Sequence, residues 1–158
     1  MNLTVHILAA MVWLGGMLFF VVVGAPTLRK IESAELRRDL FRGLGEGFRT
    51  VGWICIGILL VTGFANLYFA GLVPVLGSGR FWGTPYGRTL ALKLGAVGAM
   101  IVISLLHDFV FGPRASRAGA ETDAVRDRLR RLSSMLGRAN ALIGILVVWL
   151  AVLLTRGG

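Results

Sequence analysis

Thr84-Pro85-Tyr86-Gly87-Arg88-Thr89-Leu90-Ala91-Leu92-Lys93-Leu94 leads into an apolar run that closes on His107-Asp108. A lysine, a histidine and an aspartate stand in a segment otherwise as apolar as lipid. Ionisable groups at membrane depth are costly unless they pair, ligate an ion or line a wet cavity. The segment is therefore read as a membrane-spanning helix that carries a site, and the rest of the chain as the bundle around it.

Working outward, 56% of the 158 residues are hydrophobic and the mean hydropathy is +0.76, more than a water-soluble domain of this size needs to fill a core. A hydrocarbon layer of about 30 Å takes roughly 20 helical residues to cross. Four runs meet or approach that length: Leu3–Ala25, Val51–Val73, Thr89–Gly112 and Ala139–Thr155. Backbone amides in hydrocarbon must be satisfied within the chain, and four runs rich in Leu, Ala and Gly cannot close a barrel, so each is expected to be a helix. The fold class is all-α: one integral membrane four-helix, up-down-up-down bundle spanning residues 1–158.

The formal charge of +9 is unevenly placed. Arg29, Lys30, Arg37, Arg38, Arg42 and Arg49 lie between the first two runs, and Arg114, Arg117, Arg126, Arg128, Arg130, Arg131 and Arg138 between the last two. The middle loop has only Arg80 and Arg88. By the positive-inside rule both basic loops are cytoplasmic and both termini face outward. The charge thus reads as topology and as contact with anionic headgroups, and no nucleic-acid partner is expected.

The first run follows the initiator without a basic leader and reads as a helix that stays in place. His6, Trp13 and Phe20 fall at seven-residue spacing on one stripe, which should face inward beside Gly15-Gly16. Pro26 is expected to end or kink that helix. Ser33 is a plausible N-cap for a cytoplasmic amphipathic helix with Leu36, Leu40 and Leu44 on one face, lying on the membrane or extending the second span. Val125, Leu129, Leu132 and Leu136 predict a second basic amphipathic helix before the fourth span, and Gly112-Pro113 should end the third. Phe81, Trp82 and Tyr86 read as an outer aromatic belt.

Within the spans the polar residues are few. Asn66 should lie at about the depth of His6 and Lys93. Lys93 and His107 are fourteen residues apart, on the order of 21 Å, and share one face with Met100 and Ser104. Ala91, Gly95 and Ala99 beside them form a small-xxx-small packing seam. If the first and third spans face each other, His6 and Lys93 could meet across a cofactor, with Trp13 covering it; alternatively Lys93 snorkels outward. Neutral imidazole suits copper and haem iron, which makes His6 and His107 candidate metal ligands, with Met100 between them. Asp108 could pair with Arg114 or with the basic residues of the first loop.

Cys55 is the only cysteine, so no disulfide relay within one chain is available. GxSxG, HExxH, Walker and paired-carboxylate motifs are absent, which sets hydrolysis and phosphoryl transfer aside.

His6-Ile7-Leu8-Ala9-Ala10-Met11-Val12-Trp13-Leu14-Gly15-Gly16 resembles the first-helix signature of the bacterial copper-resistance protein D (CopD) superfamily. Thr84-Pro85-Tyr86-Gly87-Arg88, followed by Leu90, Lys93 and Leu94, is similar to that superfamily's third-helix opening. The resemblance implies a stand-alone four-helix version in the bacterial cytoplasmic (inner) membrane, handling copper ions by transport or homeostasis. More distantly, the His-x6-Trp-x-x-Gly opening with a third-helix lysine resembles HemJ-type membrane proteins, which implies a haem b held by His6 and Lys93. Under either reading the expected environment is the lipid bilayer. The exchange partner would be a periplasmic copper or redox protein or a quinone, and self-association into a homo-oligomer stays open. A third reading is a non-catalytic accessory membrane protein.

The charge pattern has a direct check. In a Cys55→Ser background, Ser78→Cys should react with a membrane-impermeant maleimide on intact cells, and Ser33→Cys only after permeabilisation. The reverse pattern would invert the topology.

Overall fold

The computed structural model describes residues 1–111 and 123–157, and among them there is no strand. Four helices are long and apolar enough to cross a membrane: α1 (Asn2–Arg29), α2 (Ala34–Phe69), α4 (Pro85–Phe111) and α5, which runs from Asp123 to Thr155. A short outer helix, α3 (Gly79–Trp82), and a 3-10 turn at Val73–Val75 occupy the loop between α2 and α4. Only 17–22% of the residues in each span's most apolar stretch are buried inside the chain. The remaining apolar side chains, such as Val61, Phe64, Leu92 and Leu142, require an apolar surrounding. The chain is thus an all-α four-helix membrane bundle.

Helix α1 packs along α2 and α4 along α5, and α1 also meets α5. The C-terminal end of α4 reaches α2 through Trp53 and Asp108. This places α1 and α4 on a diagonal across the bundle. The core draws on all four spans: Trp13 and Met17 from α1, Cys55 and Ile56 from α2, Met100 from α4 and Ala141 from α5.

Local chemistry explains the helix ends. Ser33 caps α2, its Oγ accepting from Leu36 N–H at 3.3 Å. At the other end Gly71 takes a φ of 68°, Gly71 N–H donates to the Tyr68 carbonyl and Leu72 N–H to the Leu67 carbonyl, both at 3.0 Å. That is a Schellman stop, and it closes the helix at Phe69, four residues short of the Val73 that hydropathy alone suggests. The amphipathic segments with Leu36, Leu40 and Leu44, and with Val125, Leu129, Leu132 and Leu136, are not separate short helices. They are continuous extensions of α2, one of the two options read from sequence, and of α5; no proline interrupts either, and α2 runs on through Gly43, Gly45 and Gly47.

Pro26 does not end α1. A π turn at Phe20–Gly24 precedes it, and the helix goes on to Arg29. The wider turn absorbs the missing amide and the ring's demand for space. A second π turn, Leu106–Phe111, sits ahead of Pro113 in the sequence. The predicted helix stop at Gly112-Pro113 and the predicted partner Arg114 lie outside the described residues.

Of the Gly15-Gly16 pair, only Gly16 brings helices together. A Cβ there would overlap the ring of Phe48 on α2, whereas nothing lies within 4 Å of Gly15. The Ala91, Gly95, Ala99 strip does not form a filled seam: with Ile143 and Leu146 it lines a shallow apolar groove between α4 and α5, and all three small residues are exposed.

The Thr84-Pro85-Tyr86-Gly87 stretch has a structural job. Thr84 Oγ1 accepts from Gly87 N–H at 3.0 Å, Pro85 sits in the first turn, and the Phe81 backbone carbonyl presses where a Gly87 Cβ would be. Trp82 Nε1–H donates to the Leu76 carbonyl at 2.9 Å, which folds the loop back over the end of α4.

Gly87→Ala should therefore destabilise the fold by about 2–3 kcal/mol, the upper part of the overpacking range, because backbone cannot yield. Gly16→Ala should cost less, since the end of the Phe48 ring can swing away. Unfolding in graded SDS, followed by tryptophan fluorescence, would rank the two, and equal effects would contradict the contact assignment.

Candidate functional site

Polar side chains in the bundle gather at three depths. The outer cluster joins α1 to α2 in antiparallel register. Asn2 Nδ2 donates to Asn66 Oδ1 at 2.7 Å and to the Thr62 carbonyl at 3.0 Å. One turn deeper, His6 Nδ1 lies 2.7 Å from Thr62 Oγ1. The Thr62 hydroxyl proton is engaged by the Ile58 carbonyl at 2.6 Å. Its oxygen therefore accepts from His6, which fixes the imidazole as the Nδ1–H tautomer and leaves Nε2 with a free lone pair. Lys93 is half-buried in the first turns of α4, the helix diagonal to α1, so His6 and Lys93 stand on helices that are not neighbours. Ala9, Thr62 and Leu90 are buried around this level and fill the interior.

The central cluster is formed by α1, α4 and α5. Asn140 Nδ2 donates to Ser104 Oγ at 2.9 Å and lies 3.8 Å from Met17 Sδ, while its Oδ1 is buried with no partner. Met100 is 4% exposed and packs in the same layer as Met17 and Cys55. Trp13 is buried here as well, against Gly52 of α2, and not over the outer cluster.

The inner cluster ties α4 to α2. Asp108 Oδ2 accepts from Trp53 Nε1–H at 3.0 Å, and its Oδ1 lies 2.8 Å from His107 Nδ1. Phe109 packs on the Trp53 ring with centroids 5.7 Å apart. Asp108 is thus held by Trp53 and His107, and no first-loop arginine reaches it among the described residues. His107 is the second residue of the π turn Leu106–Phe111.

Sequence reasoning set His6, Met100 and His107 at successive depths along the bundle as candidate metal ligands. In the structure they belong to the outer, central and inner clusters respectively. Among the described residues no three His, Cys, Asp or Glu side chains converge on a common point. Asn2, Thr62 and Trp53 were missed as site residues. The signal for the first two was the matching four-residue spacing of Asn2 with His6 and Thr62 with Asn66, which pair off between antiparallel helices.

This is a polytopic helical membrane protein whose interior carries a few cross-helix polar clusters at separate depths. The chain matches the family model described as CopD, copper resistance protein D, over residues 42–154, and it belongs to that family. The matched segment holds the inner cluster and the α2, α4 and α5 parts of the central one, and leaves His6, Trp13 and Met17 of α1 outside it. Along nearly its full length the chain is also similar to a protein of Aquifex aeolicus strain VF5, described only as an uncharacterized protein. The two are 30% identical over 158 residues, covering 98% of this chain and 94% of the other. No solved structure matches.

Trp53→Phe keeps the ring packing and removes the donor to Asp108. It should destabilise the bundle by about 1–2 kcal/mol, the cost of leaving a partly buried carboxylate short of one partner. Ser104→Ala should cost nearer 0.6 kcal/mol, in the range of membrane interhelical hydrogen bonds. SDS titration of both variants checks the order.

Proposed function

We propose that this protein handles copper ions across the bacterial cytoplasmic membrane, receiving the ion at the outer end of the bundle on His6. The observation that carries the reading is the tautomer of His6. Its Nδ1–H is held by Thr62 while Nε2 stays free, the arrangement in which a partner on one ring nitrogen orients the other toward a metal. His107 repeats the pattern at the inner end with Asp108 as its orienting carboxylate. Two imidazoles at opposite ends suit an ion's arrival and departure better than a single resident site. Membership in the copper-resistance family agrees with copper as the cargo.

The alternative of a haem b between His6 and Lys93 is less well served. Ala9, Thr62 and Leu90, each under one-tenth exposed, close the interior near those residues, and a porphyrin needs room that a single ion does not.

His6→Ala should abolish the tightest copper binding by detergent-purified protein and alter copper tolerance of the host cells. Thr62→Val, which keeps the shape and removes the hydroxyl, should weaken binding about tenfold, and Thr62→Ser should restore it. A dithionite-reduced visible spectrum is the counter-test. A sharp α band lost in His6→Ala would overturn the copper reading in favour of haem.

A further inference from the structure

Midway through the bundle, the helices bring three sulfur-bearing residues and a half-satisfied asparagine to a common depth. Met17, Cys55, Met100 and Asn140 each lie fourteen or fifteen residues from the outer end of their own helix. That is about 22 Å along each helix, and roughly 16 Å below His6. Met17, Cys55 and Met100 belong to one buried cluster, at 8%, 6% and 4% exposure. Met11, the other methionine well inside α1, is 65% exposed toward lipid.

Two features set this layer apart from ordinary apolar filler. Asn140 is 5% exposed, its carboxamide lies against Met17 Sδ, and its Oδ1 has no hydrogen-bond partner. Asn140 Nδ2–H faces that thioether, and the unpaired oxygen of the same amide lies within about 6 Å of the sulfur. An unpaired carbonyl in hydrocarbon is costly, and a cation beside it would remove that cost. The second feature is Gly144. A Cβ at that position would lie 3.7 Å from the Met17 methyl, 3.9 Å from the Met100 methyl and 2.8 Å from Leu14 Cδ1. The missing side chain leaves the place where the two methionine tips meet.

Thioether and thiol sulfurs are soft donors that select cuprous over harder cations. We propose that Met17, Met100 and Cys55, with the Asn140 carbonyl alongside, form a buried transit site for a soft monovalent cation, copper(I), between the outer and inner histidines. This rests on the copper reading above and adds the oxidation state and the route. Nitrogen ligands serve the two wet ends, and sulfur ligands serve the dry centre. The low charge of copper(I) suits a layer without an ionised partner among the described residues, where a divalent ion would be far costlier to bury.

The test loads one equivalent of copper(I) anaerobically onto the full-length protein in detergent and reads the copper K-edge absorption. Sulfur scatterers in the first shell are expected, unchanged in the lipid-facing control Met11→Leu. In Met17→Leu/Met100→Leu those scatterers should fall and affinity should drop at least tenfold against a copper(I) chelator. Methionine to leucine is close to volume-conserving, so the double variant should fold. If it does not elute as the parent does, Met100→Leu alone and Gly144→Ala, whose methyl would crowd the meeting point, give the same reading. A first shell of nitrogen alone in a protein that still holds copper would overturn this site and leave the His6 reading standing. A protein that holds no copper would overturn both.

Discussion

The structure depends on one constraint: hydrocarbon offers no hydrogen-bond partner, so each buried polar side chain must find one on another helix or within its own turn. Asn2 finds Asn66, His6 finds Thr62, Asn140 finds Ser104 and Trp53 finds Asp108. These pairs stitch α1 to α2, α5 to α4 and α2 to α4. Apolar packing between helices gives little orientation in lipid, because the tails are as apolar as leucine. The polar pairs and the close contact at Gly16 fix the rotation and register of the helices.

Seen this way, the bundle has a vertical order. Imidazoles stand near both ends, each with one ring nitrogen engaged, and the sulfur atoms collect between them. That order matches the chemistry of an ion leaving water, crossing a dry layer and regaining water. The two π turns lie in the C-terminal halves of α1 and α4. The turn in α4 places His107 and Asp108 side by side on a widened coil.

Much of this was legible in the residues. Hydropathy over windows of about twenty residues identified four spans, and the Ser33 cap was readable from its local pattern. His6 and Lys93 stood out because charge in apolar sequence is conspicuous. Thr62, Asn140 and Cys55 did not, because small polar residues and a lone thiol are common in membrane helices and signal nothing singly. Their importance comes from what stands opposite. Thr84-Pro85-Tyr86-Gly87 was conspicuous for another reason: it shapes the start of α4 and bears on the site only through the position of that helix.

The sequence by itself determined the fold class and the number of spans, since helix length and apolar content act locally and need no partner. Tertiary structure decided which polar groups meet. It paired His6 with Thr62 and packed Met17, Cys55 and Met100 from α1, α2 and α4 into one buried cluster. Those outcomes follow from the antiparallel register and the rotation of each helix about its axis. Both are set by contacts between residues far apart in the chain, which no local pattern encodes.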